Sequence, residues 1–101
     1  MTYLILFSFD QFIEKAKENK IREIAIARKN EVISKEHGFY DIYLLVTFKA
    51  KRGEIVAFKG ALGRHPFTTN EKIKEREESI IKELEKEGFK LLSGYYSFEL
   101  R

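Results

Sequence analysis

Between Ile42 and Phe67 the chain sets Lys49, Lys51, Arg52, Lys59 and Arg64 against one acid, Glu54. His65 follows the last of these cations, and Tyr43 precedes the first. The formal net charge of the whole chain is +3, so this one segment carries more than the entire excess. Cations gathered on a surface neutralise phosphates and release counterions, an attraction indifferent to base sequence. An aromatic ring beside them offers a face on which a base can stack. The chemistry indicated is contact with DNA or RNA through Lys49, Lys51, Arg52, Lys59, Arg64 and His65, with Tyr43 on the same side. The plainer role for the same side chains is protection of exposed strands, because lysines there discourage edge-to-edge pairing.

Other reactive residues form no complete set. His37 and Asp41 have the types of a base and its orienting acid, but no third ligand or nucleophile accompanies them. Gly60 and Gly63 follow a strand, yet Gly-Ala-Leu-Gly is not a phosphate loop. The chain has no cysteine, which excludes disulfides and thiolate metal sites and fits a reducing cytoplasm. Tyr3-Leu4-Ile5-Leu6-Phe7 is too short to span a bilayer and lacks the flanks of a signal peptide, so no membrane partner is expected.

Glu14 on a helix, Asp41 ahead of a strand and Lys59 at a strand end follow one another in an element order that resembles the PD-(D/E)XK nucleases, over residues 10–88. In that family paired acids hold a divalent metal and a lysine assists the attacking water. The resemblance implies acid roles for Glu14 and Asp41 and the lysine role for Lys59. The family's second acid stands two residues before the lysine, where this chain has Ala57, followed by Phe58. Without that carboxylate the strand supplies no metal ligand, and Glu54 lies at its opposite end. The expectation is therefore a non-enzymatic protein with no catalytic residue, metal or cofactor.

These residues need elements to position them. Residues 2–8 are almost wholly apolar and read as a strand covered on both faces. Ser8 or Asp10 can cap a helix in which Phe9, Phe12, Ile13 and Ala16 recur at helical spacing, with Asn19 as a left-handed stop. In residues 21–36, Ile24 and Ile26 favour a strand, Lys29-Asn30 a turn and Val32-Ile33 a return; the competing reading carries the first helix through Ala27.

The hairpin register follows from the apolar pattern. If Lys51-Arg52-Gly53 is a three-residue loop with Gly53 left-handed, Phe48 faces Val56, Val46 faces Phe58 and Leu44 faces Gly60. One face is then wholly apolar, and a slip of one residue would destroy it. Gly60 to Phe67 reads as a loop, and Thr68 with Glu71 has capping-box spacing for a helix over 70–87. Gly88 suits the left-handed stop, with Phe89 packing on Leu84. Residues 89–100 read as a last strand, with Leu92, Tyr96, Phe98 and Leu100 on one face and Gly94 as a bend.

The sum is α+β: one small domain over residues 1–101, a mixed or antiparallel sheet of about five strands with two helices packed on it, in the order β-α-β-(β)-β-β-α-β. Hydrophobic residues are 44% of the chain, enough for a core, and charged residues are 35%, mostly Lys and Glu, a balance typical of heat-adapted proteins. Two functions follow as expectations. One is sequence-tolerant binding of DNA or RNA by the basic hairpin. The alternative is a protein–protein interaction module or homodimer, supported by the aromatic last strand.

Overall fold

The computed structural model describes residues 4–93. In chain order the elements are β1 (Leu4–Phe7), α1 (Phe9–Glu18), β2 (Glu23–Ser34), β3 (Phe39–Lys49), β4 (Ile55–His65), α2 (Asn70–Lys86) and β5 (Lys90–Ser93). The strands form one mixed sheet in the order β1-β4-β3-β2-β5. β1 pairs parallel with β4 and β5 parallel with β2, while β3 runs antiparallel to both of its neighbours. Each helix therefore links two parallel strands that lie three places apart in the sheet. This is the α+β architecture that the sequence implies.

Both helices pack on one face of the sheet. Phe12, Ile13 and Ala16 from α1 and Ile73 and Leu84 from α2 join Ile42, Leu44, Val46, Phe48, Val56 and Leu62 in a single core. Phe12 is fully buried and meets Phe48 edge-on, with ring centroids 5.2 Å apart. Tyr43, Leu45 and Ala57, with Leu4, form a smaller cluster on the opposite face.

The hairpin register is the expected one. Phe48 pairs with Val56, Val46 with Phe58 and Leu44 with Gly60, and Gly53 has φ +87° in the loop between Ala50 and Glu54. Several expectations are corrected, among them that residues 2–8 form a strand covered on both faces: β1 lies at an edge of the sheet with Ile5 and Leu6 exposed. Lys29-Asn30 does not turn: β2 runs unbroken from Glu23 to Ser34, and those two residues pair with Tyr43 and Ile42. Neither the optional extra strand nor the helical reading of residues 21–27 survives. Gly60 to His65 is strand, not loop, with a bulge in the pairing between Ile42 and Tyr43. Gly60 belongs there because α2 crosses it closely: a Cβ would lie 2.6 Å from Ile80 Cδ1. Helix α2 is capped by Thr69, whose side chain accepts the Lys72 N–H at 3.3 Å, so the Thr68–Glu71 capping box is absent. At α1, Ser8 is the cap, and Gln11 completes a capping box with it.

The two helices end alike. In α2, Gly88 (φ +92°) donates to the Glu85 carbonyl and Phe89 to that of Leu84. In α1, Lys20 (φ +55°) donates to the Lys17 carbonyl and Ile21 to that of Ala16. Both are Schellman endings, in which a left-handed residue turns the chain out of the helix. Asn19 is therefore not the left-handed residue, since its φ is −90°. Lys20 takes that role with a full side chain, where a left-handed backbone costs an L-residue about 1–2 kcal/mol. Of the expected last strand, Lys90–Ser93 is formed; Gly94, Tyr96, Phe98 and Leu100 lie outside the described residues.

Candidate nucleic-acid interface

The seven residues singled out by charge do not form one surface. Lys59 and Arg64 point to the face without helices, and each is neutralised there. The Lys59 ammonium lies 4.4 Å from the Tyr43 ring centroid and reaches over that central-strand ring to pair with Glu31 of β2. Arg64 grips Asp41 with two hydrogen bonds, of 2.6 and 3.1 Å. The Arg64 hydrogen bonds hold the Asp41 carboxyl below its usual range, and burial raises the Tyr43 hydroxyl above its own. Tyr43 is 4% exposed, and Lys59 occupies its ring face. His65 stacks on Tyr40 at 4.6 Å, at the far end of β4 from the tip.

Lys49, Lys51 and Arg52 stand apart from this group. They lie at the hairpin tip, exposed, and make no ion pair with any described residue. The strand directions bring more charge to this end of the sheet. β3 finishes here and β4 begins; both helices finish here, and β2 and β5 begin. The last turn of α1 and the chain leaving it thus add Lys17, Lys20 and Arg22, and the start of β5 adds Lys90. None of these four pairs with an acid among the described residues. Lys15 and Lys86 are also here, paired with Glu18 at 3.5 Å and Glu83 at 3.7 Å. The acids left at this turn end are Glu23, Glu54, Glu85 and Glu87. Among the described residues, seven unpaired cations against these four acids leave an excess of three positive charges at this end.

Two clefts open at the turn end. One, of about 540 Å³, has Ile5, Phe7 and Val56 in its apolar lining and Lys15, Lys51 and Arg52 among its charged groups. Asn19 ties its two sides together: its Nδ2 donates to the Lys15 carbonyl at 2.8 Å, and its Oδ1 accepts the Lys51 N–H at 3.3 Å. The other, of about 460 Å³, lies between the helix ends, with Lys17, Lys20 and Arg22 facing Glu87, Gly88 and Phe89. The cations around the end of α1 were not singled out in the sequence, because Lys17 falls opposite the apolar stripe of the helix and Lys20 and Arg22 lie beyond its end. Their density was the available signal: residues 15–22 hold four Lys or Arg and one acid.

The residues implied by the nuclease resemblance are not brought together. Glu14 is on α1, on the helix-bearing face, while Asp41 and Lys59 point to the other and are held in separate ion pairs. Among the described residues no three His, Asp or Glu side chains group as a metal site, and no helix is long and apolar enough to cross a membrane. The chain matches no family model, no curated protein and no solved structure.

Proposed function

We propose that this protein is a non-enzymatic, sequence-tolerant binder of DNA or RNA in the cytoplasm, and that it grips the phosphate backbone with the turn end of its sheet. The observation that carries the reading is the convergence of Lys49, Lys51 and Arg52 with Lys17, Lys20, Arg22 and Lys90, all without acidic partners among the described residues. Unpaired surface cations gain most by displacing counterions from a polyanion, whereas a cation already held by a carboxylate must first give up its partner. Lysine and arginine ends on flexible stems read charge rather than base edges, which supports tolerance of sequence.

The test is the salt dependence of binding to a fluorescent oligothymidylate of about 20 nucleotides, measured by anisotropy. Affinity should fall by at least tenfold between about 50 and 200 mM salt, with a log–log slope steeper than about −2. Affinity that is flat in salt, or no binding at about 20 mM, removes the proposal.

A second reading, self-association, is supported by one observation. β1 is an edge strand of the sheet as described, and its Ile5 and Leu6 are 39% and 50% exposed. Such an edge is a template for strand addition. Light scattering decides it: a mass that doubles with concentration and stays single after Leu6→Lys supports the dimer, and a constant single mass removes it.

A further inference from the structure

The two helix endings differ at one residue, and that difference points to a ligand. Both use the same pair of backbone hydrogen bonds and a left-handed residue at the same position. α2 fills that position with Gly88, which suffers no steric penalty there, and α1 fills it with Lys20. Nothing in the local packing calls for a lysine. Lys20 is exposed and forms no ion pair or side-chain hydrogen bond among the described residues. Lys20 does line the cleft between the helix ends, with Lys17 and Arg22 beside it and Glu87 as the one acid. Backbone strain of this kind is held in place by the surrounding structure and gathers at ligand-binding and active sites.

We infer that the cleft holding Lys17, Lys20 and Arg22 is a phosphodiester site for single-stranded nucleic acid, and that Lys20 is kept in a left-handed backbone to place its charge there. The inference rests on the nucleic-acid reading above and extends it from the hairpin tip to the exit of α1. The cleft, of about 460 Å³, is within the size range of small-molecule sites, roughly 300–1,000 Å³. It is concave and has Ile21 and Phe89 in its lining beside the cations. A flexible single strand can feed one nucleotide into such a recess, whereas the stiff phosphate rows of a duplex run across its mouth.

The test separates strain from charge at Lys20, using the full chain. Lys20→Gly and Lys20→Asn relieve the backbone and remove the charge; Lys20→Arg keeps both. Expected for the first two is a rise in Tm of about 4 °C. Their affinity for the oligothymidylate should weaken about fivefold, with a salt slope shallower by about 0.7. Lys20→Arg should match the unaltered protein in both, and a duplex of the same length should lose less than about twofold on Lys20→Gly. A fall in Tm for Lys20→Gly overturns the inference, since the lysine would then serve the negative end of the helix dipole. So does a rise in Tm with affinity and slope unchanged, provided that Lys51→Ala and Arg52→Ala still weaken binding. An equal loss on the duplex overturns the single-strand assignment. If the unaltered protein binds no oligonucleotide, the underlying functional reading falls, and this inference with it.

Discussion

The β3–β4 hairpin has two ends, and its cations behave differently at each. Toward the far end Lys59 and Arg64 are tied to Glu31 and Asp41, acids carried by β2 and β3. At the tip Lys49, Lys51 and Arg52 have no acid partner among the described residues. Charge counted along a sequence is therefore not charge available to a ligand. A paired cation offers little field beyond its partner, and exposed pairs of this sort add little to stability. What the fold makes available is set by strand direction, which sends the tip to the same end as both helix exits.

The contrast is most open to attack at the tip. Replacing Lys49, Lys51 and Arg52 together by alanine should weaken oligonucleotide binding about a hundredfold at low salt and make the salt slope shallower by about 2. Lys59→Ala with Arg64→Ala should change affinity by less than about twofold. Equal losses from the two sets, read by anisotropy, would erase the distinction.

Next in size is a test of the scaffold beneath the paired half. α2 sits close over β4 because Gly60 has no side chain, and the same helix holds Arg28 of β2 through Glu77 at 2.6 Å. Gly60→Ala should cost about 1–3 kcal/mol through overpacking against Ile80. Urea unfolding checks it, and an unchanged midpoint would mean that the helix has room to spare.

A smaller effect sharpens the comparison in the other direction. Glu31→Gln with Asp41→Asn releases Lys59 and Arg64 without altering shape. Two freed cations, distant from the tip and screened from it, should strengthen oligonucleotide binding by no more than about twofold. Weaker binding would show that those acids do more than mask charge.

The smallest effect is in pH. The Asp41 carboxyl is held below the usual carboxylate range, first by the hydrogen bonds from Arg64. A lowered folded value favours the charged form, so the pair's stabilisation is present above about pH 4 and is lost as pH falls through the lowered value. The gap in urea midpoint between the unaltered protein and Asp41→Asn should hold from neutral pH to about 4 and close below it. A gap that persists in strong acid contradicts the pairing.

What the sequence disclosed follows the same division between local and distant causes. The hairpin register was legible because one face of Ile42 to Phe58 is wholly apolar and tolerates no slip. The end of α2 was legible because Gly88 and Phe89 are adjacent. The continuation of β4 was not. Gly-Ala-Leu-Gly has the composition of a loop, and what makes Gly60 a strand residue is Ile80, twenty positions later. Lys29-Asn30 misled in the same way: two turn-forming residues stay extended because β3 supplies Tyr43 and Ile42 to pair with them. At the candidate site, the tip cations were found, whereas the neutralisation of Lys59 and Arg64 depends on acids 28 and 23 residues away. The contribution of α1 was hidden because its cations join the tip only after the strands have been ordered.

The most direct measurement is a map of where a nucleic acid touches the chain. Backbone amide shifts recorded by NMR during titration with the oligothymidylate should move at residues 17–22, 49–54 and 87–90. They should stay in place at residues 28–41 and 59–65. Shifts concentrated around Glu31, Asp41, Lys59 and Arg64, with the tip and the exit of α1 silent, would contradict the account.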